Sequence, residues 1–446
     1  LPTGLCNILE HQHGLMPILD NISWLFFDKI LRMGVGVIVG VWIARYLGPE
    51  QFGVLSYAIA FVALFTAVAN LGLYGIVVRD LVLVPSESDT TIGTAFILQV
   101  LGGLCAFSLV LLFINYIRPS DEIAKIAITV LALVMVLKAT DVVKYWFESL
   151  IQSKYVVWTE SGVFLVCAII KIWLILANAS LMAFIWALFA EGLLVAGGLI
   201  ILYSVRGGEI RALRVRFNRA KTLLNDSWPL ILSGLAIMVY MRIDQIMLGQ
   251  MLGDASVGIY TAAVRISEVW YFIPMIITAS IFPLIIEAKR KSRTLYYKRM
   301  QELFDVMVVL ALAVAIPMTF LSDWVVTLLF GNAFIQAGSV LSIHIWSGIF
   351  VFLWVANGKW FLIEGLQKYA FYRNLSGAVL NVGLNIILIP KFGVIGAAWA
   401  TVASLACASV FFNLFSSKTR PVFFMQCKSF FIISSIRRIY DQQINN

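Results

Sequence analysis

The feature that most constrains this chain is a series of apolar runs, each about 20 residues long and separated by short polar or charged connections. A helix needs ~20 mainly apolar residues to cross the hydrocarbon core of a bilayer, and irregular backbone is not tolerated against lipid. The runs therefore predict an all-α polytopic membrane protein. Twelve spans are predicted, at 24–46, 53–75, 91–115, 124–147, 156–177, 180–203, 227–249, 257–284, 303–326, 338–361, 368–389 and 394–416.

The distribution of charge excludes one obvious interpretation of the basic composition. The chain is 61% hydrophobic with a formal net charge of +9, and a basic protein of this size suggests a nucleic-acid partner. The cations, however, concentrate in alternate connections, chiefly 206–221 and 289–299. Connections rich in Lys and Arg remain in the cytoplasm. We therefore expect both termini to be cytoplasmic and expect no nucleic-acid partner.

The spans and the basic connections divide the chain into five regions. An N-terminal tail (1–21) precedes an N-lobe of six spans (22–205), a basic cytoplasmic connection (206–223), a C-lobe of six spans (224–416) and a tail (417–446). The last tail is too polar and broken to span. Its aromatic and basic residues favour a cytoplasmic or interfacial segment on the anionic inner leaflet.

Two turns in the chain repeat each other. Residues 47–54 read LGPEQFGV and residues 252–259 read LGDASVGI, so that Leu-Gly, three residues, an apolar residue, Gly and a β-branched residue recur after 205 positions. The same spacing near the start of each six-span half indicates a duplicated transporter. With six spans in each half, the halves should be related by a pseudo-two-fold axis along the membrane normal, with a binding site between them.

Charged side chains inside the spans point to that site. A charge near the bilayer centre costs at least ~2.5–3.5 kcal/mol, so these residues should face protein or water. Cations exceed acids, which favours an anionic solute, and arginine's forked donors suit phosphate or pyrophosphate. The alternative is a set of buried structural ion pairs, of which Lys171 with Glu191 is the clearest candidate. The candidate binding residues are Arg32, Arg79, Lys171, Arg242, Arg265 and Arg373, and the candidate coupling or structural acids are Asp141, Glu191, Asp244 and Glu268.

Spacing along the helices refines these candidates. Arg265 and Glu268 are three residues apart and share a helix face, so Glu268 should hold Arg265 when the site is empty. Asp244 faces away from Arg242 and should find its partner on another helix. Lys138, Asp141, Tyr145 and Glu148 form one polar stripe on span four. In the C-lobe, Lys359 and Glu364 mark the cytoplasmic end of span ten, and Arg373 lies about a turn and a half into span eleven.

Catalytic and metal-binding motifs are absent from the sequence. No Walker loop, HExxH, GxSxG or paired Cys/His cluster occurs, and the five cysteines have neither CxxC nor zinc spacing. No connection is long enough to hold a catalytic domain. We expect a protein that is not an enzyme and has no metal or cofactor, although transport coupled to an ion or a proton remains open, with Asp244 as the candidate residue.

Several motifs resemble a known family. Residues 44–53 (ARYLGPEQFG), 70–73 (NLGL), 242–249 (RIDQIMLG) and 258–260 (GIY) resemble the polysaccharide-exporting branch of the multidrug/oligosaccharidyl-lipid/polysaccharide exporter superfamily. Within that branch the chain most resembles the Wzx-type O-antigen flippases, over about residues 22–416. The resemblance implies a MATE-like fold of two six-helix lobes.

The resemblance also implies a function. It predicts a flippase in the bacterial cell inner membrane that moves undecaprenyl-pyrophosphate-linked oligosaccharide from the cytoplasmic to the periplasmic leaflet by alternating access. Its partners would be that lipid-linked oligosaccharide, membrane lipids, and a polysaccharide polymerase and chain-length regulator. Arginines in helices one, two and eight line the cavity of the related lipid II flippases, which implies roles for Arg32, Arg79 and Arg265. We expect the diphosphate to dock on Arg265 and Arg32, and Arg79 and Arg373 to draw it in from the inner leaflet.

Two other functions fit the same spans. A cation-coupled exporter of small amphipathic molecules would use the same fold, and would give drug sensitivity on deletion without a polysaccharide phenotype. A membrane scaffold for polysaccharide enzymes would not transport anything, and would tolerate charge changes in the cavity.

Overall fold

The fold is helical throughout the part of the chain that the computed structural model describes, which is the backbone of residues 3–431 and the side chains of Trp24 and residues 26–431. Sixteen α-helices and six short 3-10 segments lie in this part, and it has no β-strand. The helices are α1 (Thr3–Leu64), α2 (Thr66–Asn70), α3 (Tyr74–Leu83), α4 (Ser88–Ile117), α5 (Glu122–Leu137), α6 (Val142–Ser149), α7 (Ser153–Leu176), α8 (Leu181–Val205), α9 (Phe217–Met251), α10 (Asp254–Glu268), α11 (Phe272–Lys291), α12 (Arg293–Phe330), α13 (Gln336–His344), α14 (Ser347–Ile363), α15 (Gln367–Ser409) and α16 (Arg420–Ser429). The 3-10 segments are Pro85–Glu87, Lys138–Asp141, Ile210–Ala212, Val269–Tyr271, Asn332–Phe334 and Phe411–Leu414.

The helices account for the twelve predicted spans. Within the described residues, eleven helical stretches are long and apolar enough to cross a membrane. Two long helices, α1 and α15, each contain one residue with non-helical backbone, Gly48 (φ 72°, ψ 174°) and Gly393 (φ 61°, ψ −139°). Only glycine adopts such positive φ values at little cost. Gly48 therefore separates spans one and two, and Gly393 separates spans eleven and twelve. The predicted multi-pass membrane protein with twelve spans is confirmed.

The first boundary differs from the prediction. Helix α1 begins at Thr3, so the backbone of the predicted N-terminal tail 1–21 is helical from that residue onward. Although the tail contains Gly4, Gly14 and Pro17, its helix continues into span one. At the other end, α16 lies within the predicted tail 417–446, of which residues 432–446 fall outside the described part of the chain.

Four spans are interrupted near their middles, and they are related by the duplication. Span two breaks at Phe65 between α1 and α2, and span eight at the 3-10 segment Val269–Tyr271. Phe65 and Trp270, in the middle of that segment, are 205 positions apart. Span four breaks at Lys138–Asp141, and span ten between α13 and α14. Spans two and eight, and spans four and ten, occupy the same places in the two halves. The break in span four also replaces the continuous helical stripe that the sequence predicts there.

The chain forms two compact units. The first contains the residues up to Tyr46 and Ala58–Met238, and the second contains Leu47–Tyr57 and the residues from Val239 onward. The division follows the predicted lobes with two exceptions. Residues 47–57 belong to the second unit, and the part of α9 up to Met238 belongs to the first unit. Salt bridges in the first unit, between Arg219 and Asp80 (2.9 Å) and between Asp226 and Arg79 (2.9 Å), explain why α9 begins there.

Each unit has its own apolar core. In the first unit, buried side chains of α3, α4, α6 and α8 pack together, including Leu73, Phe147 and Leu199. In the second unit the core lies between α12 and α14, and α16 packs against it through Val422 and Met425. Phe424, on the other side of α16, is 63% exposed. This short helix therefore presents an aromatic side chain away from the core, and its interfacial position stays a prediction.

The duplicated turns contact each other within the second unit. A Cβ atom added at Gly53 would overlap the carbonyl oxygen of Asp254, and one added at Gly258 would overlap that of Pro49. Both pairs of equivalent residues, 49 with 254 and 53 with 258, are 205 positions apart, so the contact is reciprocal. The preceding glycines of the two turns, Gly48 and Gly253, also share a positive φ (72° and 88°) and a ψ of 174°. The repeated glycines thus allow two helix starts to pack backbone against backbone.

Candidate functional site

In the first unit the predicted cavity cation of span one is already paired. Arg32 Nε lies 2.7 Å from Asp28 Oδ1, and its Nη2 lies 2.9 Å from Glu160 Oε2. Glu160 also binds Lys144, whose Nζ lies 2.7 Å from Asp141 Oδ1. Asp28, Arg32, Glu160, Lys144 and Asp141 therefore form one chain of alternating charges. Because it contains three carboxylates and two cations, this network does not provide the excess of positive charge that an anion would need.

Two further cations of the first unit are held in the same way. Arg79 lies 2.8 Å from Asp80 and 2.9 Å from Asp226, and its side chain is 51% exposed. Lys171 is buried and lies 2.6 Å from Glu191. The ion pair that the sequence left open for Lys171 and Glu191 is therefore present. An anion approaching Arg79 or Lys171 would have to compete with these carboxylates.

The first unit contains a cavity of about 500 Å³ with mixed charge. Among the predicted residues, Asp141 and Glu191 line it together, beside Lys138 and Lys144. Lys138 is exposed, and no salt bridge to it occurs among the described residues. Lys138 and Asp141 lie in the break of span four, and Glu191 reaches the same cavity from α8. The remaining walls are largely apolar.

In the second unit, Arg242, Arg265 and Glu268 form a cluster where span eight breaks. Glu268 is the last residue of α10, directly before the 3-10 segment. Its carboxylate lies 3.9 Å from Arg242 Nη1, whereas the guanidinium of Arg265 lies 5.0 Å from the ring centre of Phe52. The sequence predicts Glu268 as the partner of Arg265, and the salt bridge that the structure shows is instead with Arg242. Arg265 instead makes a cation–π contact with the ring of Phe52.

Charge in this cluster is unbalanced. Two arginines share one carboxylate, and all three side chains are half-buried in spans that are otherwise apolar. At 3.9 Å the contact between Arg242 and Glu268 is at the limit of a salt bridge and is not a hydrogen bond. Discontinuous helices in transporters present their charged and polar groups to the substrate. The cluster therefore has both the excess positive charge and the position expected of an anion site.

Asp244 is buried among neutral donors on other helices, as its spacing predicts. Its carboxylate accepts hydrogen bonds from Tyr260 Oη (2.8 Å), Thr401 Oγ1 (2.5 Å) and Asn385 Nδ2 (2.5 Å). Asn381 Oδ1 in turn accepts a hydrogen bond from Asn385 Nδ2 (3.1 Å). No salt bridge to Asp244 occurs among the described residues. The buried amide oxygen of Asn385 also lacks a hydrogen-bond partner there. Carboxylate, amide and hydroxyl oxygens are the donor set that a hard cation prefers.

Arg373 and His344 are buried in the second unit. Arg373 is 2% exposed, and its contacts are with Trp354, Phe361 and Asn374, none of which carries a charge. His344 is 3% exposed, and its Nδ1 lies 2.6 Å from Ser267 Oγ. His344 is therefore a packed histidine. Arg373 remains a cation without a carboxylate among the described residues.

Sequence reasoning missed several partners of these groups. Glu160 and Asp226, which neutralise cations of the first unit, were not assigned to them, because each pairing joins residues at least 128 positions apart. Phe52 lies in the repeated turn, but nothing in the repeat indicates a contact with Arg265. Only Asn381 and Asn385 carried a local signal, since residues four apart share one helix face.

Known proteins resemble this chain both in sequence and in fold. Residues 18–289, more than half of the chain, match the family described as polysaccharide biosynthesis protein. The chain belongs to this family. Residues 229–387 of this polysaccharide biosynthesis protein also match the MatE family. The resemblance to the polysaccharide branch of the exporter superfamily is confirmed.

Two relatives of this family member come from Haloferax volcanii. It is 26% identical to the probable low-salt glycan biosynthesis flippase Agl15 over 49% of this chain and 50% of that protein. It is 24% identical to the probable flippase AglR over 86% of this chain and 80% of that protein. The match to Agl15 thus spans about half of that relative's length, whereas the match to AglR spans most of both proteins.

Solved structures show the fold. The lipid II flippase MurJ in an inward closed conformation gives a TM-score of 0.69 at 16% identity, covering 93% of this chain and 91% of MurJ. An inward-facing multidrug resistance MATE family transporter of the MOP superfamily gives 0.68 at 14% identity, covering 94% and 99%. At these identities the likeness concerns the fold alone. The predicted MATE-like helical fold is confirmed.

Proposed function

We propose that this polysaccharide biosynthesis protein is a flippase for a lipid-linked glycan. The glycan would be an undecaprenyl-pyrophosphate-linked O-antigen repeat unit, moved from the cytoplasmic to the periplasmic leaflet of a bacterial inner membrane by alternating access. Family membership and the names of Agl15 and AglR support a glycan flippase. The O-antigen substrate, the direction and the membrane rest on the motifs at 44–53 and 242–249. Transport of this kind leaves the substrate chemically unchanged, so no residue is assigned a catalytic role.

The observation that carries the proposal is the unbalanced charge of Arg242, Arg265 and Glu268. A diphosphate carries at least two negative charges and several acceptor oxygens, which match the planar fork of a guanidinium. Arg265 has no salt bridge among the described residues, and Arg242 has only a long one. Binding a diphosphate here would complete the hydrogen bonds of both arginines without displacing a close carboxylate.

This assignment narrows the set of candidate binding residues. Arg32, Arg79 and Lys171 each form at least one salt bridge of 2.9 Å or shorter. We therefore assign docking first to Arg265 and Arg242, and treat the three paired cations as structural. The polysaccharide polymerase and chain-length regulator stay proposed partners that follow from the same function.

Asp244 is the proposed coupling residue. A monovalent cation would be held by its carboxylate together with the oxygens of Asn385, Thr401 and the carbonyl of Ala397, which already accepts a hydrogen bond from Thr401 Oγ1 (3.0 Å). Because Asp244 is buried without a salt bridge, cation binding would offset its charge in a low-dielectric site. Alternatively, a proton that binds the carboxylate of Asp244 could be the coupling ion. A sodium gradient and a pH gradient, imposed separately, distinguish the two coupling ions by their effect on the transport rate.

Reconstitution in liposomes tests the proposal. Undecaprenyl-pyrophosphate linked to a fluorescent glycan is placed in one leaflet, and its exposure is followed with a membrane-impermeant quencher. We expect the wild-type protein to expose the probe and Arg265→Glu to abolish exposure. Arg290→Gln, which changes an exposed cation in the last turn of α11, serves as the matched control. A sodium or proton gradient, imposed separately, should change the rate in the wild type and not in Asp244→Asn.

Other outcomes point to the other functions. Normal exposure by Arg265→Glu at equal protein levels would refute the docking role. Export of cationic amphipathic dyes without movement of the glycan probe would indicate the small-molecule exporter. The match of residues 229–387 to the MatE family supports this alternative. No transport of either probe, together with binding of polysaccharide enzymes, would indicate a scaffold.

A further inference from the structure

A cationic cavity lies in the second unit, between α11, α14 and α15. Its volume is about 420 Å³, and it is lined by two cations, Lys359 and Arg373, and by no acid. Thr278 and Gln367 are the other polar side chains on its wall, and the rest of the lining is aliphatic, aromatic or glycine. We propose that this cavity binds the phosphate group of a lipid at the cytoplasmic boundary of the membrane.

The positive charge of Arg373 is buried, and no carboxylate compensates it among the described residues. The residue is 2% exposed. Its hydrogen bonds to Asn374 Oδ1 and to the carbonyl of Trp354 are both 3.4 Å long. The same Asn374 oxygen accepts a shorter bond, 3.1 Å, from Trp354 Nε1. Bonds of this length satisfy a guanidinium poorly, and an unpaired buried ion costs several kcal/mol. The cavity leaves room beside Arg373 for the oxyanion that would offset this cost.

The aromatic neighbours of Arg373 fix its orientation. Its guanidinium lies 5.1 Å from the ring centre of Trp354 and 5.2 Å from that of Phe361. Both residues line the cavity as well. Cation–π contacts hold the planar group by its faces and leave N–H donors at its edge for a ligand. Arg373 is therefore positioned before any ligand binds.

Lys359 supplies a second positive charge from the facing helix. It is half-buried, and its Nζ lies 4.9 Å from the ring centre of Phe282. The acid at the same helix end, Glu364, is engaged by Lys289 at 2.9 Å. No salt bridge to Lys359 occurs among the described residues. Two cations beside one cavity suit a phosphate group, which spreads its negative charge over several oxygens, better than a carboxylate.

Position and lining favour a lipid as the source of that phosphate. Lys359 is four residues before the end of α14, and Arg373 is six residues after the start of α15. At ~1.5 Å per residue, both lie within about 10 Å of helix ends predicted to be cytoplasmic. The headgroup layer on each side of a bilayer is ~5–8 Å thick, so cations near these helix ends can reach lipid phosphates. Met275, Val355, Leu362 and Ala370 on the wall suit the start of a hydrocarbon chain and not a free ion.

Binding in detergent tests the inference with three probes: farnesyl diphosphate, a short-chain phosphatidylglycerol and inorganic phosphate. We expect either lipid to bind the wild type at least about tenfold more tightly than inorganic phosphate, because burying two methylene groups of its chain against the apolar wall, at ~0.8 kcal/mol each, gives a factor of that order. Which lipid binds more tightly identifies the source. Only the choice of an isoprenoid diphosphate rests on the proposed function, and the phospholipid tests the cavity without it.

Three variants separate binding from folding. Arg373→Met should weaken lipid binding at least about tenfold and leave the ligand-free melting temperature unchanged or higher, since a buried uncompensated charge is removed. Lys359→Gln should weaken binding while folding is unaffected. Lys368→Gln removes an exposed cation next to Gln367, outside the cavity lining, and should change neither.

The inference would be overturned by inorganic phosphate binding as tightly as either lipid. It would equally be overturned by Lys359→Gln and a folded Arg373→Met that keep wild-type lipid affinity. If the wild-type protein binds lipid as expected but does not move the glycan probe in liposomes, only the proposed function is contradicted.

Discussion

The contact between Gly53 and Gly258 is close enough for one added methyl group to be measurable. Gly53→Ala places a Cβ atom on the carbonyl oxygen of Asp254, which belongs to backbone and cannot move as a side chain does. Forcing extra volume into a packed site costs ~1–3 kcal/mol, and a rigid backbone neighbour favours the upper end. Alanine recovers ~1 kcal/mol as a better helix former than glycine. The net loss should be ~2 kcal/mol.

This loss should appear as a lower melting temperature of the purified protein in detergent. A change of ~1 kcal/mol shifts the melting temperature by about 2–4 °C in a unit of this size, so Gly53→Ala should melt roughly 4–8 °C lower. Gly383→Ala is the matched control, because Gly383 lies in α15 with no atom within 4 Å of its added Cβ. That variant has only the helix-propensity gain and should melt slightly higher.

The double variant Gly53→Ala/Gly258→Ala tests whether the two glycines share one contact. Once the helix starts have moved apart for the first methyl group, the second should cost less, so the combined loss should be smaller than the sum of the single losses. A melting temperature of Gly53→Ala equal to that of Gly383→Ala would refute the close contact. Strict additivity would refute its reciprocity.

Three further predictions concern charged groups. Asp244→Asn should leave the melting temperature unchanged or higher, because three neutral donors surround a buried charge, yet abolish gradient-driven glycan flipping; undiminished flipping would contradict the coupling role. Lys171→Met should lower the free energy of unfolding by about 1–3 kcal/mol, because it leaves Glu191 unpaired. In melting experiments the double variant Lys171→Met/Glu191→Met should recover at least half of that loss. A double variant as unstable as the single one would contradict the pairing. Arg79→Gln should cost under about 1 kcal/mol, since its side chain is 51% exposed; a larger loss in the same experiment would contradict the weakening of this ion pair by solvent.

Part of the site was foreseen from residue spacing, and part was not. The charged residues inside apolar runs were identifiable because each violates a strong requirement of the bilayer. The sequence did not show which of these charged residues are neutralised by a salt bridge. Arg32 and Arg265 are both arginines in predicted spans, but Arg32 meets Glu160 from α7 whereas Arg265 meets the ring of Phe52. Side-chain pairing between helices depends on how the helices rotate about their axes, and spacing within one helix does not determine that.

The sequence by itself determined the membrane class, the twelve spans and the repeated turn. Each follows from a local requirement: about 20 apolar residues cross a bilayer, and only glycine adopts the backbone of Gly48 and Gly253 at little cost. Tertiary structure alone decided where the spans break, which half of α9 joins which unit, and which cations remain without a close carboxylate. These features arise from contacts between residues far apart in the chain, such as Arg219 with Asp80 and Asp244 with Thr401, whose free energy exists only once the helices have packed.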